Sequence, residues 1–327
     1  MKNEKRNMDN PIFVVGCDRS GTSLLTLMLD QSPNLKMIFE AGFIPSLWKQ
    51  TRDYGDFSKS RQRWYFIRDL QLEEATSKTF AFDKFDGLTE QEAEQAIRNA
   101  APTDYRGAVD AICSALARRE GKDRWGEKMP EYVLHIEQIT TIFPSAHIVH
   151  IIRDPRDVAA SMCRANWYGS LRDAAAYWKE RVSEGKRQGE MVDDEYHEVK
   201  YETLLQHPTE VLERLADLLG IQFDPTMLKT HQSGTDVLPQ SQLEAHSGMF
   251  TALDRPIDPS RACAWKREMS SVGAADVERV TAPLMYELGY EGSDATVPLW
   301  LRGTRWAKTK TKVIGRRINR KMKKVGI

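Results

Sequence analysis

The apolar run Ile12-Phe13-Val14-Val15 leads directly into Gly16-Cys17-Asp18-Arg19-Ser20-Gly21-Thr22-Ser23, and a helical pattern opens at once behind that loop. A buried strand, a glycine-containing loop and a helix start in this order lead the chain to an α/β sheet whose strands return by helical crossovers. The same junction also sets up chemistry. The first N–H groups of a helix have no partner within it, and the helix dipole adds positive potential, so the loop is a ready anion site.

Gly16 and Gly21 stand where the phosphate-loop pattern G-x-x-x-x-G-K-[ST] has its glycines, but Thr22 occupies the lysine position. Arg19 supplies a cation from inside the loop, and its planar fork can grip two oxyanion oxygens at once. A second junction specifies the anion further. His147-Ile148-Val149-His150-Ile151-Ile152 reads as a buried strand and ends in Arg153-Asp154-Pro155-Arg156-Asp157, with Ser161 about two turns into the next helix. Magnesium-dependent nucleotide enzymes offer the metal an aspartate at such a strand end, whereas an arginine there seeks a phosphate. The alternative is that Arg153 and Arg156 pair with Asp154 and Asp157 in a surface charge cluster.

Together these junctions resemble the sulfotransferases that use 3′-phosphoadenosine 5′-phosphosulfate (PAPS), most clearly the carbohydrate and tyrosylprotein branch. Three further segments match in order: Trp125-Gly126-Glu127-Lys128-Met129-Pro130, Val199-Lys200-Tyr201-Glu202-Thr203-Leu204 and Trp265-Lys266. The match runs from residue 12 to about 290 and leaves Phe43 to Arg124 essentially unmatched. The resemblance implies that Arg19, Ser20, Gly21, Thr22 and Ser23 hold the 5′-phosphosulfate. It implies that Arg153 and Ser161 hold the 3′-phosphate, that Tyr201 contacts the adenosine, and that Lys266 adds to the nucleotide site. PAPS is then the donor and adenosine 3′,5′-bisphosphate (PAP) the product. The acceptor would be a hydroxyl of a glycan, a glycolipid or a tyrosine.

The residue types suit that chemistry. A sulfuryl group carries one negative charge where a terminal phosphoryl carries two, so arginine, lysine and backbone dipoles can manage it without a divalent ion. No HExxH, paired CxxC or EF-hand pattern is present, and no metal is expected. The attacking hydroxyl must lose a proton to a base within hydrogen-bond reach. Glu40 is the candidate, because it closes the short run Lys36-Met37-Ile38-Phe39 and so falls at the carboxyl edge of the sheet, where open α/β folds bind ligands. By its spacing from Arg19 it also aligns with the base of tyrosylprotein sulfotransferases. His231 and His246 remain rivals, while His150 lies mid-strand and reads as a core residue. Lys128 is expected to stabilise charge building on the sulfate or on the leaving oxygen. A P-loop nucleotide kinase is the other enzymatic reading, disfavoured by Thr22 and Arg153, and a non-catalytic PAP-binding or tethering protein is a third.

The fold expected is a three-layer α/β/α sandwich around a parallel sheet, with one sulfotransferase domain over 1–300 and a helical insertion at about 43–122. Strands are expected at 12–16, 36–39, 123–127, 147–152 and 197–201, and helices at 21–31, 131–142, 155–165, 171–191 and 208–219, with Gly220 as a C-cap. The insertion is rich in rings, including Trp48, Tyr54, Phe57, Trp64, Tyr65, Phe66, Phe80, Phe82 and Phe85. These read as the insertion's own core ahead of an acceptor pocket. Arg52, Arg61, Arg63 and Arg68 read as solvated arginines.

Cys17, Cys113, Cys163 and Cys263 show no framework spacing and are expected as free thiols, with Cys17 either activated by the loop's field or a bystander. Charge is segregated at one end. Residues 301–327 hold eleven Lys or Arg and no acid, leaving 36 basic and 47 acidic residues elsewhere in a chain of zero formal charge. Ile314, Ile318, Met322 and Val325 recur at helical spacing among those cations, so the tail reads as a basic amphipathic helix suited to an anionic membrane surface. A disordered tail and a helix packed on the acidic body are the alternatives. No nucleic-acid module is evident. Met1 to Asn10 are polar and no spanning segment is seen, which predicts a cytoplasmic enzyme, peripheral at the membrane's inner face if the tail binds lipid, or one whose anchor lies outside this sequence.

Overall fold

The computed structural model describes residues 10–48, 54–76, 88–192, 194–229 and 255–293. The tail, His231 and His246, Arg52, and Phe80, Phe82 and Phe85 lie outside these residues. Five strands form one sheet: β1 (Ile12–Gly16), β2 (Leu35–Phe39), β3 (Arg124–Lys128), β4 (His147–Ile152) and β5 (Tyr196–Lys200). They run parallel in the order β2-β3-β1-β4-β5, so the chain crosses from β1 to the sheet edge and returns to fill both flanks of β1. All five residues of β1 are buried, as an uninterrupted apolar run on a doubly covered parallel sheet requires.

The two faces divide the side chains of β1 by strand alternation. Ile12 and Val14 face α1 (Thr22–Asp30), α9 (Tyr201–Gln206) and α10 (Pro208–Leu219), packing with Leu25, Met28, Leu204 and Leu215. Phe13 and Val15 face the insertion helices α2 (Ile44–Trp48), α3 (Ser60–Thr76), α4 (Glu90–Ala100) and α5 (Tyr105–Arg119), together with α6 (Ile136–Ile142). A third cluster joins Cys17 and Ile152 to α7 (Pro155–Arg164), α8 (Leu171–Gly189) and α12 (Ser271–Glu287). The layers are therefore α/β/α. Register is tight at β3, where a Cβ on Gly126 would lie 2.7 Å from the Ile12 carbonyl oxygen and 2.6 Å from the Met37 sulfur.

Local signals explain most boundaries. Thr89 and Glu92 form a capping box at α4, Asp154 caps α7 ahead of Pro155, and Gly220 ends α10 in the left-handed conformation. The insertion's rings Tyr54, Phe57 and Phe66 are buried against Tyr105 in one aromatic cluster, so they are core, while Trp64 is 58 % exposed.

Several expectations need correction. The helix read over 131–142 is a 3₁₀ turn at Pro130–Leu134 followed by α6, with His135 between them at φ −130°, which an α-helix cannot accommodate. Tyr201 starts α9 and does not end β5. Arg63 is buried, donating to Glu94 at 2.9 Å and to the Phe57 and Ser58 carbonyls, so it is not a solvated arginine. Arg61 and Arg68 lie over the rings of Tyr65 and Trp64. Cys17 is fully buried, and burial, with Asp18 adding to it, pushes its thiol well above the usual range, so the loop does not activate it. α12 carries Pro283 and a weak apolar stripe, and the sequence pattern does not announce it.

Candidate functional site

The carboxyl ends of β1, β2, β3 and β4 bring together the side chains that matter, in two groups. In the first, the loop after β1 turns through Arg19 at φ 68° and Gly21 at φ 98° before α1 begins. No side chain caps α1, so its first amides stay available. Gly21 is obligatory here. A Cβ would come within 2.4 Å of the Tyr201 ring, and the φ disfavours any L side chain.

Arg19 Nε donates to Ser161 Oγ at 3.1 Å, which joins the first loop to the second turn of α7 across 142 residues of sequence. Arg153 Nη1 donates to the Arg19 carbonyl at 3.2 Å, and its guanidinium lies 4.3 Å from the Tyr201 ring centroid. Arg19, Ser161, Arg153, Tyr201 and Gly21 are thus one cluster. The segment Arg153-Asp154 is held from both sides. Trp178 Nε1 donates to the Arg153 carbonyl at 3.0 Å and the Asp154 N–H to Glu202 at 2.9 Å, while Tyr290 donates to the other Glu202 oxygen at 3.0 Å.

The two strand-end arginines divide their labour. Arg156 is buried and saturated, with a two-pronged bond to Asp154 at 2.9 and 2.7 Å and a third to Glu278 at 2.8 Å, and it stacks 3.7 Å from Trp265. The pairing considered for a surface cluster therefore exists for Arg156, but inside the protein. Arg153 reaches Asp157 only at 3.8 Å, and its buried Nε has no partner. Ser20 Oγ is likewise buried and unpartnered. Burial lowers the Arg19 pKa, with Arg153, then Arg164 and Arg261, adding repulsion and Asp18 opposing them.

Such a site suits an anion. Crowded guanidiniums, an uncapped helix start and two unsatisfied buried polar atoms fit a nucleotide that carries several negative charges. Arg164 and Arg261 were not predicted as site residues; the first ends α7 and the second closes the 3₁₀ turn Pro259–Arg261, and only the fold brings their charges to bear on Arg19. Lys266 stands exposed on α11 (Trp265–Glu268), and its contact is with the Trp265 ring at 5.8 Å, not with Arg19, Arg153 or Ser161. Its neighbour does the anchoring, since the Trp265 N–H donates to Asp157 at 2.6 Å. Thr22 is buried in the first turn of α1 and Ser23 is partly exposed beside it.

The second group stands on the adjacent strands. Glu40 follows β2 at φ 52°, with its N–H donating to the Lys128 carbonyl at 2.8 Å, and its carboxylate forms an ion pair with Lys128 Nζ. The Lys128 side chain is fully buried at the end of β3, over the Phe39 ring, while that of Glu40 is 24 % exposed. The pairing follows from register, because Phe39 lies opposite Lys128 and the next residue must turn over it. His150 is not a rival base. It is buried under α8, shares a hydrogen bond of 2.6 Å with the Tyr196 hydroxyl, and burial drives its pKa down to about 3.

The family profile described as "Sulfotransferase family" matches residues 11–225, about two thirds of the chain. The chain belongs to the sulfotransferase family. It is therefore a sulfuryl-transfer enzyme with PAPS as donor and PAP as product. Protein-tyrosine sulfotransferase 1 of Danio rerio is 24% identical over 295 residues, covering 87% of this chain and 74% of that protein. Protein-tyrosine sulfotransferase A of Caenorhabditis elegans is 24% identical over 287 residues, covering 86% and 67%. Among solved structures, the sulfotransferase domain from the curacin biosynthetic pathway superposes with a TM-score of 0.57 at 19% identity, covering 87% of this chain and 99% of that one. The sulfotransferase domain of the Synechococcus PCC 7002 olefin synthase gives 0.55 at 23%, covering 86% and 98%. These structures share the fold. Among the described residues no group of His, Cys, Asp and Glu is arranged to hold a metal ion, and no helix is long and apolar enough to cross a membrane.

Proposed function

We propose that this sulfotransferase acts on tyrosine hydroxyls of a protein acceptor, with Glu40 as the base. The observation that carries the reading is the Glu40–Lys128 ion pair beside the arginine-rich loop, which sets a carboxylate and a buried ammonium at one sheet edge. Two relatives named protein-tyrosine sulfotransferases, matched over most of this chain, support the choice of acceptor over a glycan or glycolipid.

PAPS, when bound, supplies the sulfuryl group and departs as PAP. Ser20, Gly21, Thr22 and Ser23 with Arg19 hold its 5′ end at the start of α1, and Arg153 with Ser161 hold its 3′-phosphate. Tyr201, wedged between Gly21 and Arg153, flanks the adenosine, and Lys266 lies at the rim. Lys128 keeps Glu40 ionised until an acceptor arrives, because an adjacent ammonium favours the charged carboxylate. With PAPS bound, Glu40 would take the acceptor's hydroxyl proton as that oxygen bonds to the sulfuryl group and PAP leaves. Lys128, freed once Glu40 is neutral, would stabilise the charge that builds on PAP, together with Arg19.

The test is metal-free transfer of labelled sulfate from PAPS to a tyrosyl peptide, run beside glycan and glycolipid acceptors and beside the phenylalanyl form of the peptide. Incorporation into the tyrosyl peptide alone is the expected result. Incorporation only into a sugar would replace the acceptor and leave the sulfotransferase intact. We also place the enzyme in the cytoplasm, with the basic tail as its membrane contact, on the strength of the tail's composition.

A further inference from the structure

Glu127 lies one residue before Lys128 in β3 and is 1 % exposed, although nothing in the transfer chemistry above uses it. Its carboxylate accepts the Gly42 N–H at 2.9 Å, and also the Ala41 N–H and the Tyr132 hydroxyl proton. Tyr132 in turn accepts the Ile44 N–H at 3.2 Å, and Tyr105 donates to the Ile44 carbonyl at 2.9 Å. The segment gripped in this way carries Glu40 at φ 52° and Gly42 at φ 76°, a left-handed turn that a glutamate does not adopt without support. Two consecutive residues of β3 therefore control the base. Lys128 binds the Glu40 N–H and carboxylate, and Glu127 binds the two amides that follow.

We propose that Glu127 is a positioning residue for the sulfuryl-transfer base: its carboxylate fixes the turn at 40–42 that aims Glu40, and Tyr132 completes the grip. This rests on the reading of Glu40 as base. The Gly42 and Ala41 amides can only donate, and the Tyr132 hydroxyl already accepts the Ile44 N–H, so the ionised carboxylate serves these partners best. A protonated acid would be a weaker acceptor for the two amides.

The surroundings set that protonation close to neutrality. Burial raises the Glu127 pKa to about 7, against the bonds from Gly42, Tyr132 and Ala41, and the charge of Glu40 adds to the rise. From α5, Cys113 faces it with a thiol that burial keeps neutral, and Tyr105 faces Tyr132. The neighbouring ammonium of Lys128 is engaged by Glu40. The grip is thus strongest above about pH 7 and weaker below it.

The experiment uses full-length protein labelled with carbon-13 at the glutamate carboxyls, with Glu127 and Glu40 signals assigned by their loss in Glu127→Gln and Glu40→Gln. The Glu127 signal should titrate near pH 7, and the Glu40 signal should show an inflection at the same midpoint. Tyr132→Phe removes a bond that favours the ionised form, so both inflections should move to higher pH. Glu127→Gln should abolish the inflection in Glu40 and lower kcat by about 10²-fold at neutral pH, with the KM for PAPS unchanged, as a misplaced catalytic group predicts. A Glu40 signal that ignores the Glu127 midpoint overturns the proposal, as does an unchanged kcat in a folded Glu127→Gln. If that variant does not fold, Tyr132→Phe decides by whether the two inflections move together. The resonance readings need no acceptor, so a failure of tyrosyl-peptide transfer would count against the proposed acceptor and not against the positioning role.

Discussion

The arginine cluster and the Glu40–Lys128 pair are built on opposite electrostatic plans. Around Arg19 and Arg153 the protein gathers like charges and leaves Ser20 Oγ and Arg153 Nε without partners. Around Glu40, Lys128 and Glu127 the charges are already matched, each carboxylate facing an ammonium, an amide or a hydroxyl. An unsatisfied cationic pocket gains most from an incoming anion, whereas a matched pair is ready to move one proton with little rearrangement. On the proposed roles, Arg153 and Ser161 would serve nucleotide affinity, Glu40 and Lys128 the transfer step, and Arg19 both.

The largest effect separates the two plans most cleanly. Glu40→Gln should cost about 10²- to 10⁴-fold in kcat, the range for a general base, while calorimetric PAP binding stays within error. Loss of PAP affinity in that variant would break the division. Arg153→Ala should do the reverse, weakening metal-free PAP binding by about 1.5 to 3 kcal/mol, as for a lost charge-assisted bond, with Mg·ATP bound no better than before. Ser161→Ala should cost less, about 0.5 to 1.5 kcal/mol in the same titration, because the hydroxyl's bond to Arg19 is one hydrogen bond and the guanidinium remains. If Ser161→Ala instead equals Arg153→Ala, the link between the two loops matters more than either phosphate contact. The smallest effect concerns neither side. Removing residues 301–327 should leave both parameters unchanged and abolish co-sedimentation with anionic vesicles, and persistent sedimentation would end the membrane reading of the tail.

Much of this was legible in residues 12–23 and 147–161. Both segments follow one local rule, an apolar run followed by a helix start, so their geometry depends on neighbours in sequence and the pattern exposes it. The Glu40–Lys128 pair was half legible. Glu40 could be placed at a strand end, but that Lys128 reaches it depends on β2 and β3 pairing in register across 88 residues. Glu127 was visible only as a letter in a motif, since its value lies in a turn packed over it. The unmatched insertion hid a core of rings that local periodicity could not assign to a partner, and α12 went unread because Glu278 and Thr281 interrupt its buried face and Pro283 lies within it.

The sequence by itself therefore determined the parallel sheet and the two arginine-bearing junctions, because each is written within a dozen residues by apolar spacing, glycine and charge. Tertiary structure alone decided which of those charges are spent. Arg156 is neutralised by Asp154 and by Glu278 from 122 residues away, while Arg153 keeps an unpartnered Nε, and no local pattern distinguishes the two. Pairing depends on which distant helix covers which strand end, and the chain fixes that only when its apolar faces close on one another.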